Sequence, residues 1–365
     1  MKLERQSLHN DYFRDDKERI CQVLSWLQPV NEKICIIKYI LGKGYWRSQE
    51  TGLQYERILK SYSLSGQQDN LLQVIKDEPS YFFHSAVYDA DFLAVPLTRM
   101  KEYYYPEKRL NEIVYDKPTK KLDALELKVK VLAELLKDFL NIPISNIGVT
   151  GSILWKGQTK KSDIDIIIYG NNYAQSFSEK FQTLYDTHSK IKPLSENKKK
   201  RYELSLARKS GLPRDLIKKY IAKKKWLSTF GKTEISIIFN PLPNETPFQY
   251  GQQIFKPIRR VDIEGTIANT TLGNAYPSIY ELTDCKPVGD KSLYTNLPLT
   301  RILSFEGALT GYFKKGDRII ARGLLEEVID VKNDKQFFQI ILGTKECIGN
   351  EFILLKEDFL NYFKK

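Results

Sequence analysis

Gly148-Val149-Thr150-Gly151-Ser152, then ten residues, then Asp163-Ile164-Asp165-Ile166-Ile167-Ile168, is the stretch on which the reading of this chain turns. One strand-like run ends in Gly-Ser, and the next carries two carboxylates one residue apart. Alternation along a strand puts residues i and i+2 on one face. Asp163 and Asp165 therefore point the same way, while Ile164 and Ile166 point into a core. Two like charges so close repel each other unless a cation lies beside them. Carboxylates with phosphate oxygens are the donors Mg²⁺ accepts, and paired metals can clamp the attacking and leaving oxygens of an in-line displacement. Gly151 lets backbone approach a phosphate, and a helix starting after it would aim N–H groups and its dipole at the anion. The Ser152 hydroxyl can donate to a phosphate oxygen, and Lys156, on the same turn or helix, is a candidate phosphate contact.

Upstream of this stretch, Leu122, Leu125, Val129, Leu132, Leu136 and Phe139 recur at helical spacing, which predicts a helix over 122–140. Pro143 follows and cannot continue it. Downstream, Phe177 to Tyr185 reads as helical, and 196–230 as two or three basic helices interrupted at Gly211-Leu212-Pro213. Thr233 to Phe239 reads as a third strand. On it Glu234 and Ser236 share one face and the apolar residues share the other. A charge on an otherwise apolar short strand makes Glu234 the candidate third acid, holding a metal that activates an attacking hydroxyl or acting as its base. Another strand nearby is the alternative source of that acid.

These residues resemble the polymerase-β-type nucleotidyltransferase superfamily. Its pattern is Gly-Gly/Ser, about nine to thirteen residues, Asp-x-Asp/Glu between apolar residues, and a later strand-borne acid. Thr150-Gly151-Ser152, Asp163-Ile164-Asp165 and Glu234 match it, and Ser162 fits the frequent Ser-Asp-x-Asp form. Gly157 departs, lying five residues after the Ser where many members have four. The match covers about 117–245, and the three-part layout is similar to little-characterised archaeal members. The resemblance implies two Mg²⁺ or Mn²⁺ ions at Asp163, Asp165 and Glu234. It also implies a nucleoside triphosphate such as ATP at Gly151, Ser152 and Lys156.

The flanks carry no such motif. Residues 1–116 look β-rich, with a hairpin over Arg19–Trp26 and Lys33–Leu41 that Gly42-Lys43-Gly44 closes, and a short helix over 67–76. Tyr103-Tyr104-Tyr105 is either a base-stacking surface or an interdomain packing surface. Residues 259–365 read as a small antiparallel barrel or sandwich, with strands at Ile319–Arg322, Leu325–Val331 and Gln336–Leu342. The expected fold is α+β: a central mixed-sheet transferase domain, 117–258, between two β-rich domains.

The net charge is +12 over 365 residues. From residue 190 to 225 fourteen Lys/Arg face three Asp/Glu, a net of +11, so nearly all the surplus sits in one tenth of the chain. Such a stretch is either the footprint of a polyanion such as nucleic acid or a solvated helical face. Cys21, Cys35, Cys285 and Cys347 are far apart and form no CxxC pair, which argues against a disulfide framework or zinc site. They read as small core residues in a reducing cytoplasm. Three scattered histidines, His9, His84 and His188, argue against a His-based metal site. No apolar run reaches the ~20 residues a membrane helix needs.

The function expected is transfer of a nucleoside monophosphate to a hydroxyl, with a nucleic-acid 3′ end as acceptor. The alternatives are a protein or small-molecule acceptor, or a nucleic-acid-binding protein with an inactive transferase core.

Overall fold

Three sheets organise the computed structural model, which describes residues 1–223, 227–288, 298–307, 310–345 and 350–363. The first contains β1 (Tyr12–Asp15), β2 (Ile20–Val23), β3 (Glu32–Arg47), β4 (Gln54–Arg57), β5 (Phe82–Ser85), β6 (Ala90–Pro96) and β7 (Met100–Tyr104), with α1 (Leu64–Ile75) against it. Its order is β5-β6-β3-β2-β1-β7, with β4 on β3. The expected hairpin is β2 against β3, with Cys21 opposite Ile37 and Val23 opposite Cys35. Gly42-Lys43-Gly44 does not end the strand. β3 runs on to Arg47 and pairs with β4 through a register shift between Leu41 and Trp46, so the two glycines sit in an irregularity of the kind that bends a strand without stopping it. Tyr103 stacks on Phe13 and packs at a tilt against Tyr105, which makes the triplet a packing element.

α2 (Pro106–Asn111) leads into the central unit. α3 (Ala124–Leu140) starts at an Asp123 capping box: Asp123 accepts from the N–H groups of Leu125 and Glu126, and Glu126 accepts from that of Asp123. It ends at Asn141 in the left-handed region. β8 (Ile147–Thr150), β9 (Ile164–Tyr169), α4 (Asn171–Thr187), β10 (Ile191–Pro193), α5 (Glu196–Ser210), α6 (Arg214–Lys223), β11 (Leu227–Phe230) and β12 (Thr233–Asn240) follow. The sheet order is β10-β11-β12-β9-β8. Only β12 and β9 run parallel. Helix was expected to continue to 230, but Gly231, at φ +60, turns β11 back onto β12 as a hairpin. Helices α3 and α4 cover one face, where Val129, Leu132, Phe177 and Phe181 pack on Ile164, Ile166, Ile235 and Ile237. The acids lie on the other face.

The third sheet has β13 (Gln253–Asn269), β14 (Ser278–Pro287), β15 (Leu299–Ser304), β16 (Arg318–Asp330), β17 (Lys335–Leu342) and β18 (Phe352–Leu355), followed by α7 (Lys356–Phe363). The strands expected at 319–322 and 325–331 are one continuous β16. The path β13-β14-β15-β17-β16 closes because β16 also pairs with β13, giving a five-stranded barrel with β18 added to β16. Helices α5 and α6 leave the central sheet and pack on this barrel: Leu212, Leu216, Ile217 and Tyr220 join Ile263, Ile320 and Tyr312 in one apolar cluster. A further cluster draws on all three units, with Trp26 and Tyr88, Ile167 and Tyr169, and Phe255 and Leu324. The three sheets therefore share a core. No helix among the described residues is long and apolar enough to cross a membrane.

Cys21 and Cys35 are buried and Cys285 half-buried, all as free thiols; Cys347, and Lys224 and Lys225 of the basic stretch, lie outside the described residues.

Candidate active site

Parallel pairing fixes which residues share the exposed face of the central sheet. Ser236 stands opposite Asp165 and Ile235 opposite Ile164, so Asp163, Asp165, Glu234 and Ser236 all point away from the α3–α4 side. On the other edge Thr150 stands opposite Asp165, which delivers Gly151 to the acids. Gly151 has φ +68, and a Cβ there would lie 2.6 Å from Asp165 Oδ2. Only glycine fits both the conformation and the space.

Asp163 is exposed and Asp165 half-buried. Ser236 donates its hydroxyl hydrogen to Asp165 Oδ1. Burial raises the Asp165 carboxyl to about 6, and the charge of Asp163 adds to the rise; Ser236 and the Lys38 ammonium oppose it. Asp165 is therefore an anion at neutral pH, held there at a cost that a cation would remove.

Of the turn or helix that the sequence allowed after Ser152, the chain forms a run of turns. Gly157 N–H donates to Ser152 O at 2.8 Å and Lys156 N–H to Ile153 O at 3.2 Å. Ser152 Oγ donates to Ser162 Oγ at 3.1 Å, and Ser162 Oγ accepts from Thr159 N–H at 3.0 Å. These bonds close a small loop beside the acids. The Trp155 side chain explains the departure at Gly157: its ring lies 2.0 Å from where a Cβ on residue 157 would be. That ring is buried against Tyr39 and Tyr55 of the first sheet, at 5.3 and 5.2 Å between centroids.

The predicted residues are not all brought together. Lys156 turns from the acids: its Nζ lies 3.3 Å from Glu112 and 4.0 Å from Glu50. Glu234, on the correct face, is half-exposed and ion-paired with Lys198 of α5. Among the described residues no group of three or more His, Cys, Asp or Glu side chains is placed to hold a metal. The oxygens that are present, two carboxylates with the hydroxyls of Ser152 and Ser236 nearby, are the hard donors a Mg²⁺-like ion takes.

The acids open into a cleft of about 1480 Å³ lined by all three units. Gly151, Ser152, Lys160 and Lys161 line it from the central unit, and Tyr276 from the barrel. The first sheet adds Tyr12, Lys38, Tyr39, Arg57 and Tyr62, none of which was singled out from the sequence. A signal for Lys38 was present, since it is a lone charge in the apolar strand Ile34 to Leu41. The same signal drew attention to Glu234. Burial pulls the Lys38 ammonium down to about 8, with Asp165 and Asp163 acting against that. Two polar bridges lock the cleft's domains together: Thr150 Oγ1 donates to Asn10 O at 2.6 Å, and Asn240 Nδ2 to His9 O at 2.7 Å.

Residues 128–240 match the family described as "Nucleotidyltransferase domain". That match takes in α3 from residue 128 onward, both acid-bearing strands, the basic helices and the turn after Gly151. Over 234 residues the chain is 30% identical to an uncharacterized protein of Methanocaldococcus jannaschii, covering 64% of this chain and 65% of that one. The match thus spans slightly less than two thirds of the relative's length. No solved structure matches.

Proposed function

We propose, for a chain whose residues 128–240 form a nucleotidyltransferase domain of polymerase-β type, that the cleft moves a nucleoside monophosphate from an NTP to a hydroxyl on a nucleic-acid 3′ end. The observation that carries the proposal is the Asp163–Asp165 pair. Two like charges are held on one face at the floor of a cleft, with Gly151 backbone against one of them. Asp163 and Asp165 would hold Mg²⁺ or Mn²⁺, with Glu234 as the third ligand of a two-ion site. Bound there, the ions would neutralise charge on the phosphates and lower the pKa of the attacking hydroxyl.

The chain's own residues do the positioning. The Gly151–Ser152 turn receives the phosphates, with Ser152 donating and Lys160 and Lys161 adding positive charge at the rim. Lys156 contributes only by turning from Glu112. The acceptor oxygen forms a bond to the α-phosphorus, the bond from that phosphorus to the bridging oxygen breaks, and pyrophosphate leaves. The hydroxyl proton passes to Glu234. Holding these groups in line is where most of the rate comes from.

Two features support a polymeric acceptor over a small one. The cleft exceeds the roughly 300–1,000 Å³ of a small-ligand pocket. Arg208 of the basic helix α5 lines it, while Lys200 and Arg201 of the same helix are exposed to solvent. Free buried thiols at Cys21 and Cys35 support a reducing, cytoplasmic setting. The test is incubation with each α-labelled NTP or dNTP, Mg²⁺ or Mn²⁺, and RNA, DNA or protein. Label should enter a nucleic acid, and Asp163→Ala should abolish it. Full incorporation in EDTA, or label entering only protein, refutes the proposal.

A further inference from the structure

Lys38 lies on β3, outside the nucleotidyltransferase domain, and is 7% exposed. An ammonium carries three N–H donors. Lys38 Nζ donates to Tyr12 Oη at 2.8 Å, and no second acceptor within the protein is found among the described residues. Tyr12 passes its own hydrogen on to Gln22 Oε1 at 2.9 Å, so its oxygen is committed as an acceptor toward Lys38. The rings of Tyr12, Tyr39 and Tyr62 lie 5.3, 5.6 and 5.3 Å from the ammonium. This cage holds the cation but leaves hydrogens over. Burying a charge with its donors unmet is expensive, and Lys38 forms no ion pair among the described residues. Its side chain lines the cleft that also holds Asp163 and Asp165.

A second cation stands beside it. Arg57 is exposed on β4, lies 5.5 Å from the Tyr62 ring and uses its Nε on Leu59 O at 3.0 Å. The terminal nitrogens of its guanidinium stay available to the cleft. The first and second units together assemble this site, since the two cations come from the first sheet and the acids they face from the second.

We propose that Lys38, with Arg57 beside it, is a phosphate-binding site that the N-terminal sheet contributes to the transferase cleft. The ligand is one phosphate group of the substrates, from the NTP's leaving pyrophosphate or from the acceptor strand. A phosphate supplies the acceptor oxygens and the negative charge that Lys38 lacks, and Arg57 can take a second oxygen with its planar fork. The inference rests on the transfer reading above for the source of the phosphate, and its test separates the two.

Binding is measured on the full chain by calorimetry. The probes are inorganic pyrophosphate, a Mg²⁺-bound ATP analogue with a methylene α,β bridge, and a single-stranded RNA oligomer with a free 3′ hydroxyl. Lys38→Gln and Arg57→Gln are compared with wild type, and Lys38→Arg is the conservative control. If the phosphate is the nucleotide's, both Gln variants lose roughly tenfold affinity for pyrophosphate and the analogue, the scale of a charge-assisted hydrogen bond. If it is the strand's, RNA affinity falls instead, and the slope of its logarithm against log salt shallows by about 0.7 for each phosphate no longer neutralised. Lys38→Arg recovers binding in either case. All probes binding both Gln variants as they bind wild type overturns the proposal, even where Lys38→Gln lowers Tm. If Lys38→Gln does not fold, Arg57→Gln decides, because its side chain is on the surface. A wild type that transfers no nucleotide, together with Gln variants that lose pyrophosphate, leaves the phosphate site standing and removes the transfer reading.

Discussion

Asp165→Asn should make the protein more stable at neutral pH while removing its activity. Asp165 rises from an ordinary 3.8 to about 6 in the folded chain. At ~1.36 kcal/mol per pH unit that rise equals about 3 kcal/mol of penalty once the group is ionised. One side of Asp165 is open to the cleft, so water screens part of it, and about 1–3 kcal/mol is the expected gain on substitution. Because the folded pKa lies above the unfolded one, the native state binds the proton more tightly. The group's stabilisation is full below about 3.8 and is lost as pH rises through about 6. The advantage of Asp165→Asn over wild type should therefore be small at pH 4, grow through pH 6 and level off above it. Scanning calorimetry in EDTA should show a rise in Tm of about 1–4 °C for Asp165→Asn above pH 7. Saturating Mg²⁺ should then raise wild-type Tm without moving the variant, since a ligand at about 100-fold its Kd adds about 2.7 kcal/mol. A variant no more stable than wild type at pH 7.5, or a difference that does not vary between pH 4 and 7, refutes this account of Asp165.

Gly151→Ala places a methyl group 2.6 Å from Asp165 Oδ2 at a φ of +68. The backbone alone costs about 1–2 kcal/mol, and displacing Asp165 should remove most incorporation; unchanged Tm and activity would contradict the close approach. His9 stacks on Tyr276 at 4.4 Å, its Nδ1 accepts from Ser25 N–H at 3.2 Å, and burial pulls its imidazole down to about 3. A base with a lowered folded pKa gives stability that is present above about 6.5 and lost as pH falls. Urea midpoints measured at pH 7 and pH 5 should thus fall further in wild type than in His9→Asn, and equal falls would show that His9 stays solvated.

The parts of the site read from sequence were those written by local periodicity. The face shared by Asp163 and Asp165 follows from strand alternation, and Ile164 and Ile166 are buried as that alternation requires. Helix α3 announced itself through its apolar stripe and its Asn141-Ile142-Pro143 end. What alternation cannot show is which strand lies beside which. Ser236 was noted only as sharing a face with Glu234, whereas the parallel register sets it against Asp165 and leaves Glu234 to Lys198. Lys38 and the tyrosines around it meet the acids across more than a hundred residues of chain. Lys156 was placed by proximity to the Gly-Ser turn, but the buried Trp155 beside it steers the backbone toward Glu112. The short strands β10 and β11 were lost among the lysines of the basic stretch. They are three and four residues long, too short for a period to show.

The packing of α5 and α6 on the barrel imposes an order on how the chain is made. The helices are synthesised before any barrel strand exists, yet Leu212, Leu216, Ile217 and Tyr220 share their apolar cluster with barrel residues from 261 onward. Between those two moments a nascent chain bears a basic helical pair whose barrel partner has not yet been made. Domains emerge from the ribosome in order, and surface left bare in that interval is what aggregates or recruits chaperones. The central sheet can close on itself early, because β12 ends at Asn240, but its cleft gains its far wall last. The N-terminal wall and the floor that bears the acids are thus both translated before the barrel, and the enclosure is complete only when the last barrel strands have been made.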